Sequence, residues 1–133
     1  MPYRNSQMVV IPTKRILVID DDEPVQMVVQ SCFEELAGWE VVTANSGPEG
    51  LAKASAEPPD AIILDMMMPG MDGLAFLRHL KANPKTQSIP VVVLTARTDL
   101  LQNYNYSAYG VVRTIAKPFD PISLVYQVAQ ALA

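Results

Sequence analysis

Five short strand-like runs, three of them uninterruptedly apolar, each closing on polar or turn-forming residues and each followed by helical spacing, constrain this chain more than any other feature. Ile16 to Ile19 runs into Asp20, Asp21 and Asp22; Glu40 to Ala44 turns at Asn45, Ser46, Gly47 and Pro48; Ala61 to Leu64 ends in Asp65; Val91 to Leu94 ends in Thr95; residues 111 to 116 deliver Lys117. Apolar runs of this length without polar alternation are what strands show when both their faces are covered. The first intervening stretch repeats apolar residues at three and four, through Val25, Val28, Val29, Cys32, Phe33 and Leu36, and stops near Gly38. Asp22 suits its cap and Pro24 its first turn.

A second helix follows Pro48, holds Leu51, Ala52 and Ala54, and breaks at Pro58 and Pro59; a third carries Leu74, Leu77 and Leu80 and cannot pass Pro84. Asp99 to about Tyr109 reads as a weaker helix with Leu100, Leu101, Tyr104 and Ala108. Asp120 and Pro121 open a last helix whose Ile122, Val125, Val128, Ala129 and Leu132 are expected to face inward. Strict alternation of strand and helix predicts an α/β fold, a doubly wound five-stranded parallel sheet with helices on both faces and right-handed crossovers. The flavodoxin-like order 2-1-3-4-5 is the expected arrangement.

The 133 residues, half of them apolar, suit one domain with a continuous core. Residues 1 to 13, with Met8 to Ile11 as a short apolar patch and no helical period, read as a flexible extension or a small added strand, leaving residues 14 to 133 as the domain. A net charge of -4 and the lack of a basic run argue against a counterion-driven grip on nucleic acid. Cys32 is the only cysteine, which excludes an internal disulfide and a Cys-based zinc cage. No run approaches the ~18 apolar residues of a spanning helix, and the N-terminus lacks the pattern of a signal peptide. These readings together predict a soluble, cytoplasmic protein that contacts neither nucleic acid nor membrane.

In such a sheet ligands gather beyond the carboxyl ends of the strands. Asp20, Asp21, Asp65, Thr95 and Lys117 therefore converge on one rim from separate parts of the chain. Three carboxylates in one place raise one another's pKa unless a cation sits among them. Magnesium fits, since it takes oxygen ligands in near-octahedral geometry and retains waters. Asp21 and Asp65 are the main expected ligands, with Asp20 nearby or acting through water. A carboxylate is also a nucleophile toward phosphorus, and Asp65, ending the central strand before an open loop, is the candidate. Charge on the equatorial oxygens of a transferring phosphoryl group would be met by magnesium, by Lys117, and by the Thr95 hydroxyl with backbone N–H groups near Met66 and Ala96.

Four blocks, KRILVIDDDEP (Lys14 to Pro24), ILDMMMPGMDG (Ile63 to Gly73), IPVVVLTA (Ile89 to Ala96) and AKPF (Ala116 to Phe119), resemble the signature blocks of response-regulator receiver domains in order and separation. The resemblance runs from about Lys14 to the C-terminus. It implies that Asp65 is the phosphoacceptor, that Asp20 and Asp21 are the acidic pair around Mg2+, and that Met67 adds a backbone carbonyl to the metal site. Thr95 is then the switch hydroxyl, Lys117 the phosphate partner, and Pro118 follows a cis peptide bond. The phosphoryl donor would be a histidine kinase or a histidine phosphotransfer protein, and a downstream protein of unknown identity would read the signal. Met67 and Arg97, each two residues past a pocket residue, would border the path of the attacking water, with bulky Met67 slowing dephosphorylation.

One position departs from the family pattern: Thr114 stands where an aromatic ring usually lies, three residues before the lysine. That leaves Tyr104, Tyr106 or Tyr109 as replacements, and keeps a phosphorylation-independent receiver acting as an interaction module as the alternative reading. A phosphatase of the haloacid-dehalogenase type also uses a strand-end aspartate with magnesium and lysine. Such enzymes place a second Asp two residues later, where this chain has Met67, and they carry a cap domain absent here, so a self-phosphorylating acceptor rather than a turnover enzyme is expected. With no output domain after Ala133, the signal is expected to leave by protein contact, onward phosphotransfer or a further segment, the face of the fourth and last helices being the contact surface.

Plainer roles are expected elsewhere: Asp22 and Glu23 as cap and first-turn acid, His79 as a surface residue, Cys32 as a small core residue, and Met66, Met67, Met68 and Met71 as lining of the loop beside the site. Asp72 and Gly73 shape that loop and begin the third helix.

Overall fold

The computed structural model describes residues 13–68, 70–96 and 106–133. Five strands form in it: β1 (Arg15–Ile19), β2 (Glu40–Ala44), β3 (Ala61–Asp65), β4 (Val91–Thr95) and β5 (Val111–Ala116). They lie parallel, as the alternation predicts, and in the expected flavodoxin-like order β2-β1-β3-β4-β5. Central β3 and β4 are buried along their whole length, which is why their runs carry no polar alternation. At the β5 edge Val91 pairs with Val111 but Val92 with Arg113, so Val112 is an extra residue in a bulge, and it is exposed.

Four helices surround the sheet among the described residues: α1 (Glu23–Cys32), α2 (Gly47–Ala56), α3 (Gly73–Ala82) and α4 (Pro121–Ala131). Each opens on a residue whose side chain accepts a first-turn N–H: Asp22 from Val25, Ser46 from Glu49, Asp72 from Ala75 and Asp120 from Ile122. α1 runs on through a π-helical stretch, Phe33–Ala37, to Gly38, whose φ of 67° is the left-handed conformation that ends it.

The sheet divides the core in two. Val29 and Phe33 of the first helical segment and Leu124, Val125 and Val128 of α4 cover Ile16, Val18, Ile63, Leu94 and Ile115 on one side. Ala54, Phe76, Leu77 and Leu80 cover Leu17, Ile19, Ile62, Leu64 and Val93 on the other. Trp39, just before β2, stacks on Phe33 with ring centroids 5.6 Å apart and an interplanar angle of 16°. No helix of the described residues is long and apolar enough to cross a membrane.

Several expected inward residues face outward instead. Val28, Leu36 and Ile122 are 45%, 51% and 53% exposed, because each helix packs on a single layer and the flanks of its apolar stripe meet solvent. Met66 and Met68 are buried core residues rather than loop lining, whereas Met67 is exposed. Of the stretch expected to form the weaker helix, residues 99–105, including Tyr104, lie outside the described residues, as do Arg97, Thr98, residues 1–12 and Pro69. Tyr106–Tyr109 is a short 3-10 helix, with Tyr106 buried in the same core cluster as Val91, Val93 and Val111.

Gly73 begins α3 where a Cβ would lie 2.2 Å from Met66 Sδ and 3.0 Å from Met66 Cα. The side chain can move but the backbone cannot, and Gly73 N–H also donates to Met66 O at 3.3 Å. Gly73→Ala is therefore expected to cost about 2 kcal/mol of stability through overpacking, checked by urea denaturation; an unchanged midpoint would contradict that crowding.

Candidate functional site

The residues at the carboxyl rim of the sheet are positioned by the strands that end there. Asp20 and Asp21 follow β1, Asp65 closes β3, Thr95 closes β4, and Lys117 follows β5. Asp20, Asp65 and Thr95 are at most 5% exposed, while Asp21 faces solvent. Lys117 Nζ lies 3.2 Å from Asp20 Oδ2 and 3.4 Å from Asp65 Oδ2, so one cation bridges two buried carboxylates. Its backbone N–H donates to Thr95 O at 2.9 Å, which ties the lysine's base to the end of β4. The Lys117–Pro118 peptide bond is cis, as the resemblance implies.

Each buried carboxylate also accepts a backbone donor. Asp65 Oδ1 takes the Met67 N–H at 3.0 Å, and Asp20 Oδ1 takes the Asp22 N–H at 2.9 Å. The Met66 N–H, expected near the transferring phosphate, donates instead to Leu94 O at 3.0 Å within the sheet. It is consumed because Met66 still continues the β3–β4 ladder, so the free end of the loop begins one residue later.

Burial raises the Asp65 pKa above its ordinary value of 3.8, and the Asp20 charge adds to the rise; the Met67 N–H and Lys117 oppose it. For Lys117 burial acts downward, but the Asp65 and Asp20 charges outweigh it and the ammonium titrates above 10.5. One lysine thus faces more negative charge than it can neutralise. The carboxylates of Asp20, Asp21 and Asp65 each offer an oxygen within 4.8 Å of the others. An all-oxygen, net-anionic set of this kind suits a hard divalent ion such as Mg2+ and offers no sulfur or imidazole to a softer one.

Sequence reasoning missed one buried polar neighbour. Gln26, in the second turn of α1 and 7% exposed, donates its side-chain amide to the backbone carbonyl of Asp20, to Ala44 O at 3.2 Å and to Asn45 Oδ1 at 2.7 Å. Its spacing was the available signal, since Gln26 stands three and seven residues before the buried Val29 and Phe33 and so shares their side of the helix. Beside Lys117 an apolar groove of about 560 Å³ is walled by Pro24, Val25, Val28, Phe119 and Pro121. Thr114 pairs in register with Val93 and is exposed, so no ring occupies its position on the sheet, while Tyr106 supplies a buried aromatic in the same layer. His79 is exposed, and Cys32 packs partly buried against the α1–α4 core.

The model of the response regulator receiver domain matches residues 16–129. Response regulator PleD of Caulobacter vibrioides is 42% identical over 118 residues, covering 86% of this chain and 25% of the relative. The phosphate regulon transcriptional regulatory protein PhoB of Escherichia coli is 37% identical over 116 residues, covering 86% of this chain and 50% of the relative. This chain therefore spans a quarter to a half of the length of these relatives. The structure of chemotaxis response regulator CheY4 of Vibrio cholerae superimposes with a TM-score of 0.82 at 30% identity, over 90% of this chain and 99% of that one.

Proposed function

Because this chain belongs to the receiver domains of two-component response regulators, we propose that it accepts a phosphoryl group on Asp65 from a histidine kinase or a histidine phosphotransfer protein. The observation that carries this reading is the Lys117 ammonium held between two buried carboxylates at the end of the central strand. An Asp65 oxygen attacks phosphorus, a P–O bond forms, and the P–N bond to the donor imidazole breaks with its electron pair returning to nitrogen. Lys117 then exchanges part of its pairing with Asp65 for a phosphoryl oxygen, and the Thr95 hydroxyl at the end of β4 takes another.

Asp20, Asp21 and Asp65, with the Met67 backbone carbonyl, would hold Mg2+, which when bound supplies charge neutralisation among the carboxylates and a Lewis-acid contact to the phosphoryl group. The apolar groove beside Lys117 offers a docking wall for the helix that carries the donor histidine. Exchange of the Thr95 and Lys117 contacts biases two conformations of the domain, and a downstream protein reads the difference; the role is that of a cytoplasmic signalling domain rather than a turnover enzyme.

Incubation with Mg2+ and acetyl phosphate, followed by intact-mass measurement, tests this. One added phosphoryl group is expected on the wild type and none on Asp65→Asn. A wild type that gains no mass, or an adduct that persists in Asp65→Asn, would leave the phosphorylation-independent interaction module as the better reading.

A further inference from the structure

We infer that Gln26 is a positioning residue for the metal and phosphoryl site, an assignment that rests on the function proposed above and adds a residue to it. Asp20 is the most constrained member of the acidic set. Its N–H donates to Ala44 O at 3.1 Å, its Oδ1 accepts from Asp22 and its Oδ2 faces Lys117. The remaining polar atom, the backbone carbonyl, accepts from the Gln26 amide. Gln26 therefore holds the carbonyl side of the peptide that joins Asp20 to Asp21.

The same amide reaches two further acceptors, Ala44 O and Asn45 Oδ1, at the end of β2. With two N–H groups for three acceptors, it shares a proton among them, and it fastens the β1 and β2 ends to α1 at one point. Gln26 also contributes from its main chain, its N–H donating to Asp22 O at 3.1 Å, so side chain and backbone hold opposite ends of the acidic loop. Asn45 is anchored in turn through its own N–H to Glu49 Oε1 at 2.8 Å.

A buried amide is costly to keep unless its bonds are made, and an apolar residue would satisfy packing alone. What the amide adds is orientation: with Asp20 turned correctly, its carboxylate and that of Asp21 meet Asp65 without a loop rearrangement. Groups that orient metal ligands from behind commonly change metal affinity by tenfold or more when removed. The effect should therefore appear in Mg2+ affinity and not only in stability.

Gln26→Met keeps length and helix preference while deleting the donor, and Asn45→Ala, at an exposed position, deletes one anchor of the amide. Calorimetric titration with Mg2+ is expected to show about tenfold weaker binding for Gln26→Met and a smaller loss for Asn45→Ala, each with a matching drop in acetyl phosphate reactivity at subsaturating Mg2+. A purely structural Gln26 would lower the unfolding midpoint and leave the Mg2+ affinity of the folded protein alone, and that result overturns the inference. Should Gln26→Met not fold, unchanged Mg2+ affinity in Asn45→Ala overturns it equally. A wild type that binds no Mg2+ defeats the proposed function and this assignment together, whereas normal wild-type binding matched by Gln26→Met defeats this assignment alone.

Discussion

Lys117→Met is expected to lose about 3 kcal/mol of unfolding free energy in magnesium-free buffer at neutral pH, the low end of the cost of stripping one partner from a buried ion pair. The variant leaves Asp20 and Asp65 facing each other with no cation, both almost fully buried. The low end applies because the lysine side chain is itself 22% exposed, so water shares in screening the pair. For a domain of this size the loss corresponds to a fall in melting temperature of roughly 10 °C.

Two conditions should restore the variant, and they identify the cause. Millimolar Mg2+ replaces the missing positive charge among the carboxylates, and mild acid allows Asp65, already displaced upward by burial, to take a proton. Thermal melts across a grid of pH and Mg2+ would read both. A melting temperature close to wild type without Mg2+, or a deficit that neither condition relieves, would show that Lys117 does not hold the carboxylates together.

Asp65→Asn carries the opposite sign. Metal-free Asp65→Asn is expected to be more stable than the wild type at neutral pH, because it removes a carboxylate that burial makes costly to ionise, while losing phosphoryl uptake completely. The folded-state pKa of Asp65 is raised, first by burial and then by Asp20. In the window between the ordinary value of 3.8 and that higher value the folded state binds more protons than the unfolded one, so stability falls as pH climbs through it and stays reduced above. Asn cannot ionise, and its profile should lack that descent.

Lys117 contributes with the reverse dependence. Its folded pKa lies above 10.5, so its stabilisation is complete below that value and is lost as pH rises through the folded one. Urea denaturation from pH 4 to 8 would separate the Asp65 limb cleanly from the alkaline one. Parallel profiles for wild type and Asp65→Asn would mean that Asp65 is not the strained group.

Strands β1, β3 and β4 were readable because burial on both faces leaves a continuous apolar run, as in Val91 to Leu94, whereas the edge strands β2 and β5 carry Glu40, Thr43, Arg113 and Thr114 and were legible only from the alternation with helices. The rim residues were readable for a related reason: a polar side chain terminating such a run has only the carboxyl end of the sheet to occupy. Helix faces were less legible. Val28, Leu36 and Ile122 match a spacing of three and four, but that spacing does not say where a helix's contact with a single layer stops. Gln26 escaped because amphipathic reasoning assigns every polar residue to water, and only the position of Asn45 and Ala44 across the fold reveals its acceptors. Met66 was misjudged because the loop's departure from the sheet is set by one hydrogen bond to Leu94 that no local pattern announces.

Trp39, the chain's single tryptophan, bears on how any of this can be observed. It enters β2 at the amino end, and the acidic rim lies beyond Ala44 at the other, a span of roughly 17 Å for five residues at ~3.3 Å each. A ligand at the rim cannot quench the indole by contact. Tryptophan emission is thus blind to occupancy itself, and a change in its intensity or emission maximum reports a rearrangement that has reached the Phe33 stack.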